Sequence, residues 1–189
     1  MSKGYKGGDF EREVCKKLSL WWTGGERDDV FWRSSQSGGR ATQRKKKGLS
    51  TYGSYGDIAA VDPIGEPLLR LFTIELKRGD SYGTLWDLFD ALPTEASRSF
   101  EKCLAQAMRS ADDAGTAHWM LICRQDRRVP VIYFEMNQTL KELGILKLPH
   151  MRFRFRLNGI PSPLTPYLIV VHFETFLSSV HPKQIIEIA

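Results

Sequence analysis

The stretch "YGDIAAVDPIGEPLLRLFTIELKRG", residues 55–79, contains two apolar runs joined by a segment rich in proline and glycine. This pattern predicts a β-hairpin whose turn is centred on Glu66. Each run nevertheless carries charge where a buried strand normally has none, with Asp57 in the first run and Glu75 and Lys77 in the second. These charges need a physical explanation, because burying them opposes folding unless something compensates.

Side-chain alternation divides the second run into two faces. Phe72, Ile74 and Leu76 share one face and are predicted to enter the core, whereas Glu75 and Lys77 share the other. The carboxylate and the ammonium therefore point the same way. On an exposed edge strand such a pair is usually a solvated ion pair that contributes less than about 1 kcal/mol.

Pairing about Glu66 would place Asp57 opposite Glu75, with Cβ atoms about 4.5 to 5.5 Å apart. A shift of one residue would turn Asp57 to the other face, so the prediction depends on this register. Two carboxylates this close repel each other unless a base, a raised pKa or a divalent cation offsets the repulsion. Carboxylates with nearby carbonyl oxygens suit Mg²⁺, and an adjacent Lys77 could orient an activated water. The constellation favours phosphodiester hydrolysis.

The rest of the chain predicts an α/β fold in which a mixed central β-sheet is flanked by helices. Helical spacing predicts helices over 9–22, over 94–115 with Thr94 as N-cap and Gly115 as the stop, and over 174–180. Short β-rich runs predict further strands over 29–34, 118–124, 129–135, 152–157 and 166–173. Residues 34–56 are predicted to form a long loop and residues 81–93 an irregular or short helical insert. The tryptophans Trp21, Trp22 and Trp32 are predicted to lie in the core.

Length, charge and cysteine content narrow the class of protein. The 189 residues fit one domain, and the formal net charge of +5 permits a nucleic-acid partner without requiring one. The chain has no run of 18 apolar residues and no signal-peptide pattern at its N-terminus, so we expect no membrane segment. Three well-separated cysteines argue against a disulfide framework and predict a reducing, cytoplasmic location.

Three motifs resemble the PD-(D/E)xK nuclease superfamily, whose signature is an Asp on one strand and Glu-x-Lys on the next. "GDIAAVD" and "FTIELKRG" carry that signature, and "KGGDFERE", residues 6–13, is similar to the first-helix motif of archaeal Holliday-junction resolvases and related phage nucleases. "RSSQSGG", residues 33–39, is similar to their Ser-Gly loop. The resemblance implies a restriction-endonuclease-like core over about 5–136 within a single nuclease domain, 1–189, and a C-terminal extension over about 137–189.

The resemblance implies a Mg²⁺-dependent DNA endonuclease in which Mn²⁺ could substitute. The implied catalytic residues are Glu11, Asp57, Glu75 and Lys77, and the implied metal ligands are Asp57, Glu75, the backbone carbonyl of Leu76, and Glu11 directly or through water. Glu13 competes with Glu11 for the helix-borne role. DNA contacts are expected from Lys6, Arg33, Ser37, Arg40, Arg44, Lys45, Lys46, Lys47, Arg78 and Gln106. The five residues from Arg40 to Lys47 form a basic run that could equally be a solvated loop.

The first choice within the nuclease class is a structure-specific, resolvase-like enzyme of DNA recombination and repair, which would act as a homodimer. A restriction-type or general phage DNA-processing nuclease is the alternative, and a catalytically inactive nucleic-acid-binding module of the same fold is the rival from another class. The chain departs from the resolvases in a longer loop between Gly39 and Gly56, in the insert over 81–93, and in the segment from about 137 onward. Retention of Asp57, Glu75 and Lys77 argues against the inactive module.

Overall fold

A computed structural model of the chain describes residues 3–34, 55–79, 99–154 and 167–189, with side chains described from Gly8 onward. Its helices are α1 (Lys3–Trp22), α2 (Glu66–Leu71), α3 (Ser99–Ala114), α4 (Gln138–Glu142), α5 (Phe173–Ser179) and α6 (Pro182–Ile188). Its strands are β1 (Phe31–Arg33), β2 (Ile58–Ala60), β3 (Phe72–Arg78), β4 (His118–Arg124), β5 (Val131–Glu135), β6 (His150–Phe153) and β7 (Leu168–His172). Short 3₁₀ turns cover Pro63–Gly65 and Ile145–Lys147.

The central sheet has five strands in the order β3-β4-β5-β7-β6, and β1 and β2 form a separate antiparallel ribbon. Strand β3 runs parallel to β4, while the remaining pairs are antiparallel, so the sheet is mixed. Helix α1 contributes to the core on one face of the sheet and α3 to the core on the other. The predicted α/β fold with a mixed sheet flanked by helices is therefore confirmed, and it is consistent with a restriction-endonuclease-like core.

Strand β3 lies at one end of the central sheet and is buried on both faces. Phe72, Ile74 and Leu76 enter the core cluster that includes α1, as alternation predicts. Thr73 and Glu75 point to the opposite face and are also buried, at 3 % exposure each. Glu75 therefore lies in a confined environment and not on an open strand face.

The predicted hairpin between the two apolar runs is wrong. Strand β2 pairs with β1, in a register that places Phe31 opposite Ala60, and not with β3. The segment between β2 and β3 forms a 3₁₀ turn followed by α2. The pairing of Asp57 with Glu75 about Glu66 is consequently wrong as well.

Local interactions explain why this segment becomes helical. Asp62 caps the 3₁₀ turn by accepting a hydrogen bond from the Ile64 N–H at 3.0 Å. Pro67 occupies the first turn of α2, where the missing N–H has no helical partner to lose. Leu68 and Leu71 recur at a spacing of three and are both buried, which is helical rather than strand periodicity.

The other predicted helices and strands are found with shifted ends. The first helix begins earlier, at Lys3, and the long helix α3 ends before Gly115, which has a φ of +70°. The strand predicted over 152–157 begins two residues earlier, at His150, and residues 155–157 lie outside the described residues, as do Thr94 and the insert over 81–93. Helices α2, α4 and α6 were not predicted.

The tryptophan prediction is partly wrong. Trp22 is buried and Trp21 is half-buried, but Trp32 is 52 % exposed. Strand β1 explains the difference, because Phe31 occupies the core side of the ribbon and alternation turns Trp32 outward.

The segment after residue 137 supplies two of the five strands of the central sheet. Strand β7 pairs with β5 on one side and with β6 on the other. Within the described ranges, no helix combines the length and the hydropathy needed to span a membrane.

Candidate active site

Asp57 is hydrogen-bonded to the edge of β3 that faces away from β4. Its backbone N–H donates to the Ile74 carbonyl at 2.8 Å, and its Oδ2 accepts from the Leu76 N–H at 2.7 Å. The preceding Gly56 has a φ of +78°, and a Cβ there would lie 2.6 Å from the Ile74 oxygen. Glycine is therefore required for the backbone to approach β3 this closely.

The backbone carbonyl of Leu76 lies on the same edge of β3 as the Asp57 carboxylate. The N–H and C=O groups of one strand residue project to the same side, and the Leu76 N–H points to Asp57. The neighbouring residues of β3 pair with β4 on the other side. The edge therefore offers a carboxylate oxygen and a carbonyl oxygen side by side.

Glu75 is held by three side chains. Gln106 Nε2 donates to Glu75 Oε2 at 2.9 Å, Ser110 Oγ donates to Oε1 at 2.7 Å, and Lys77 Nζ donates to Oε2 at 3.3 Å. Gln106 and Ser110 are four residues apart on α3 and so share a helix face. These contacts set the orientation of a carboxylate that is almost completely buried.

Ser110 is a contact of Glu75 that the sequence pattern did not predict. The signal available was its i, i+4 relation to Gln106 on a predicted helix, but a serine at such a position is common on helix surfaces. Gln106 donates to Glu75 in the structure, and the DNA contact predicted for Gln106 stays a prediction.

The two carboxylates and the lysine are electrostatically linked. Burial, reinforced by the nearby Glu75 charge, raises the pKa of Asp57 to about 6, although Lys77 and the Leu76 N–H oppose the rise. Burial by itself would lower the pKa of Lys77, but the Asp57 and Glu75 carboxylates outweigh it and raise that pKa. Lys77 is therefore charged at neutral pH, and the ionised Asp57 is in an unfavourable environment that an additional positive charge would relieve.

Helix α1 brings Glu11 to the neighbourhood of the site, and strand β1 brings Arg33 there. Arg33 Nε donates to Glu11 Oε2, and a Cβ on Gly8 would lie 3.3 Å from Arg33 Nη1. Ser34, the residue after Arg33, donates its backbone N–H to the Asp57 carbonyl at 2.9 Å. Glu11 and Asp57 therefore belong to one region of the molecule.

Glu13, the competitor of Glu11, is engaged elsewhere. Its carboxylate pairs with Arg124 at the end of β4, at 2.8 Å, and with Lys17 at 3.6 Å. The Arg124 guanidinium also lies over the Phe10 ring, 4.7 Å from its centroid. Glu13 thus ties α1 to the sheet, which favours Glu11 for the helix-borne role near Asp57.

The remaining predicted contacts are only partly described. Arg78 Nη2 lies 3.6 Å from Asp126 Oδ1, and the buried Arg78 Nε has no hydrogen-bond partner among the described residues. The side chain of Lys6 and the residues Ser37, Arg40, Arg44, Lys45, Lys46 and Lys47 lie outside the described residues. Their DNA contacts stay predictions.

The donor set suits a hard divalent cation. Asp57, Glu75 and the Leu76 carbonyl offer oxygen atoms, which Mg²⁺ prefers, and burial together with the Glu75 charge raises the pKa of Asp57. Among the described residues, no three His, Cys, Asp or Glu side chains converge as a preformed metal site. Glu11 is engaged by Arg33, so its predicted metal contact stays a prediction.

Comparison with protein families identifies the chain. The family model described as "Phage putative PDDEXK endonuclease" matches residues 2–187, nearly the whole sequence. The chain belongs to this PD-(D/E)xK endonuclease family. The assignment of the Asp and Glu-x-Lys motif to Asp57 and Glu75-Leu76-Lys77 stays a prediction.

Membership confirms the resemblance to the PD-(D/E)xK superfamily. An endonuclease family implies DNA as the substrate, and PD-(D/E)xK nucleases usually use divalent metal ions. Searches of curated proteins and of solved structures found no match.

Proposed function

We propose that this PD-(D/E)xK chain is a Mg²⁺-dependent DNA endonuclease that hydrolyses phosphodiester bonds, with Mn²⁺ able to substitute. The observation that carries the proposal is the convergence of Asp57, Glu75 and Lys77 at β3, since Asp57 is brought there by tertiary contacts from a strand of another sheet. Such an arrangement of charges opposes folding and needs a functional reason.

Asp57, Glu75 and the Leu76 carbonyl would hold the metal ion. When bound, the ion would supply Lewis-acid stabilisation of the phosphate and a more acidic water. Lys77 stays charged between the two carboxylates, so its ammonium can orient the attacking water and stabilise negative charge that develops on the phosphate. Gln106 and Ser110 keep Glu75 in one orientation throughout.

A structure-specific, resolvase-like activity is our first choice within the nuclease class. The motifs on α1 and at 33–39 support it, and symmetric cutting of two strands would require a homodimer. Arg78 and the basic run from Arg40 to Lys47 would hold the DNA backbone. The alternative is a restriction-type or general phage DNA-processing nuclease.

The test uses labelled four-way junction, duplex and single-stranded DNA with Mg²⁺, Mn²⁺ or EDTA. Glu75→Ala removes the buried carboxylate, and Glu142→Ala, an exposed acid on α4, serves as the control. We expect metal-dependent cleavage that Glu75→Ala abolishes while DNA binding is retained, and full activity in Glu142→Ala. Thermal unfolding of both variants would verify that they are folded.

The DNA cleavage products distinguish the candidate functions. Symmetric nicks confined to the junction would support a resolvase, whereas metal-dependent cleavage of all three substrates would support a general nuclease. Cleavage by a folded Glu75→Ala protein would refute the site assignment. DNA binding without cleavage in any divalent metal would refute the proposed enzymatic activity and favour the catalytically inactive nucleic-acid-binding module.

A further inference from the structure

Trp32 is a large aromatic side chain that the fold leaves exposed beside the candidate site. It is 52 % exposed at the centre of β1, whereas its neighbour Phe31 is completely buried. The indole N–H groups of Trp21 and Trp22 donate to the carbonyls of Val180 and Ile64, at 2.9 and 2.7 Å. In contrast, no ring contact or hydrogen bond within the described part of the chain engages the Trp32 indole.

The register of the ribbon places Trp32 close to Asp57. Trp32 stands opposite Ala59, and the ladder continues through a hydrogen bond from the Ser34 N–H to the Asp57 carbonyl at 2.9 Å. Trp32 and Asp57 are therefore diagonal neighbours, which lie about 7 to 8 Å apart in an antiparallel pair and within reach of an aromatic side chain. Ala59 has only a methyl group, so the residue opposite Trp32 cannot cover the indole.

An exposed indole at this position suits a nucleobase. Tryptophan binds flat partners by stacking, and every base presents a π-face, so base–aromatic stacking needs no particular sequence. Bases inside an intact duplex already stack on both sides, and freeing one costs a few kcal/mol. The indole is therefore suited to a base that is already unstacked, at a branch, a gap or a single strand.

We propose that Trp32 stacks on an unpaired base next to the phosphate held at Asp57 and Glu75, which makes branched or single-stranded DNA the preferred substrate class. The proposal rests on the proposed nuclease function. It commits to DNA over a second copy of the chain, because Trp32 is a diagonal neighbour of Asp57 across the β1–β2 ribbon. A subunit contact is the competing outcome, because the apolar side chains of Val61 and Ile64 are also exposed, at 62 % and 47 %.

The experiment compares Trp32→Ala and Trp32→Phe with Val61→Ala, an exposed apolar residue on the same ribbon that is matched as a control. Kd is measured in EDTA for a four-way junction, a single-stranded oligonucleotide and a blunt duplex at several salt concentrations. Initial cleavage rates with Mg²⁺ then give KM and kcat separately for each variant. Light scattering gives the mass of each variant.

We expect Trp32→Ala to weaken binding to junction and single-stranded DNA by about 5- to 100-fold. Trp32→Phe should lie between Trp32→Ala and wild type, and Val61→Ala should match wild type. Intact duplex should lose less than about twofold, because it offers no unstacked base. The slope of log Kd against log salt should not change, since the indole releases no counterions from phosphate.

Two results would overturn the stacking role while leaving the nuclease intact. In the first, wild type cleaves DNA and Trp32→Ala binds all three substrates as wild type does. In the second, Trp32→Ala lowers the mass of the protein in solution and weakens binding to all three substrates equally, which would identify the face as a subunit contact. If wild type neither binds nor cleaves any of the DNAs, the proposed function itself fails.

Discussion

Asp57 is a carboxyl group whose ionisation the fold opposes. Burial and the Glu75 charge raise its pKa from 3.8 to about 6. A carboxyl with a higher pKa in the folded state binds more protons there than in the unfolded chain between about pH 4 and 6. Its contribution to stability is therefore fully present below about pH 4 and is lost as the pH rises through about 6. At pH 8 the folded protein carries an unfavourable buried charge.

Asp57→Asn should therefore stabilise the metal-free protein at pH 8. The amide removes the charge and keeps an oxygen that can accept from the Leu76 N–H. A rise in the Asp57 pKa from 3.8 to about 6 corresponds to about 3 kcal/mol, or a Tm increase of about 6 to 12 °C for a domain of this length. Thermal unfolding in EDTA would measure it.

The same measurement has two internal controls. At pH 3.5 the wild-type carboxyl is protonated, so the Tm difference between wild type and Asp57→Asn should nearly vanish. Mg²⁺ added at pH 8 should raise the Tm of wild type and leave that of Asp57→Asn unchanged. A lower Tm for Asp57→Asn at pH 8 would contradict the electrostatic interpretation.

Ser110 is expected to act through Glu75 as a positioning residue. Ser110→Ala removes the 2.7 Å hydrogen bond to Oε1 and leaves the contacts from Gln106 and Lys77. Side chains that orient a metal ligand typically change metal affinity or activity by about 10- to 100-fold when lost. We therefore expect the Mg²⁺ concentration for half-maximal cleavage to rise by about tenfold.

A merely structural role for Ser110 would give a different pattern. In that case Ser110→Ala would lower the stability of the protein without shifting the Mg²⁺ dependence of cleavage. The Tm and the metal titration together therefore distinguish a positioning role from a structural one. Ser110→Thr retains the hydroxyl and should recover part of the affinity. Ser178→Ala, which removes a serine hydroxyl from an exposed position of α5, is the control and should leave the titration unchanged.

At the level of secondary-structure elements, the junction between Gly56 and β2 determines where the first carboxylate lies. Strand β2 belongs to the ribbon with β1, yet Asp57 at its start is hydrogen-bonded to β3 of the central sheet. The ribbon and the sheet therefore meet at this residue. Any displacement of the junction would separate Asp57 from Glu75.

Gly56→Ala should disturb this junction far more than Gly115→Ala disturbs the end of α3. Both glycines have a positive φ, +78° and +70°, so both substitutions carry similar backbone strain. A Cβ at Gly56 also lies 2.6 Å from the Ile74 oxygen, whereas a Cβ at Gly115 meets nothing within 4 Å. We expect Gly56→Ala to lose at least about 1 kcal/mol more stability and most of the cleavage activity.

Chemical denaturation would give the two free energies of unfolding, and cleavage assays the activities. Gly115→Ala should remain active, because α3 ends well after Gln106 and Ser110. Equal loss of stability and full activity in both variants would show that the approach of Gly56 to β3 is not required.

For the molecule as a whole, the central sheet is completed by the last quarter of the chain. Strand β7 lies between β5 and β6, and its residues Ile169 and Val171 are buried in the core cluster shared with α1. Trp21 on α1 donates to the Val180 carbonyl beyond α5. The N-terminal helix and the C-terminal segment therefore stabilise each other.

A chain ending at residue 136 should consequently fail to fold on its own. It lacks β6 and β7, so β5 would expose its unpaired edge and a large apolar surface to water. Circular dichroism and hydrogen exchange should show an unfolded or aggregated protein. A chain ending at residue 187, where the family match ends, should fold and cleave as the full chain does. A soluble, cooperatively folded 1–136 fragment would instead identify the C-terminal segment as a separate extension.

The local sequence pattern was sufficient to predict the features of the fold that depend on side-chain periodicity. Alternation along β3 correctly separated Phe72 and Ile74 from Glu75, because the side-chain period of a strand is two whatever it pairs with. Helical spacing correctly predicted α1 and α3. Each of these features depends on residues close in sequence.

Only the tertiary structure decided which segments meet. The pairing of β2 with β1 and the placement of Ser110 on Glu75 both follow from competition among distant partners. Local pattern allowed a hairpin, but burial of Leu68 and Leu71 made the connecting segment a helix. Asp57 directly precedes β2 of the ribbon, whereas Glu75 lies on β3 of the central sheet. Their meeting depends on backbone hydrogen bonds between a glycine-led turn and a strand edge, which no local periodicity encodes.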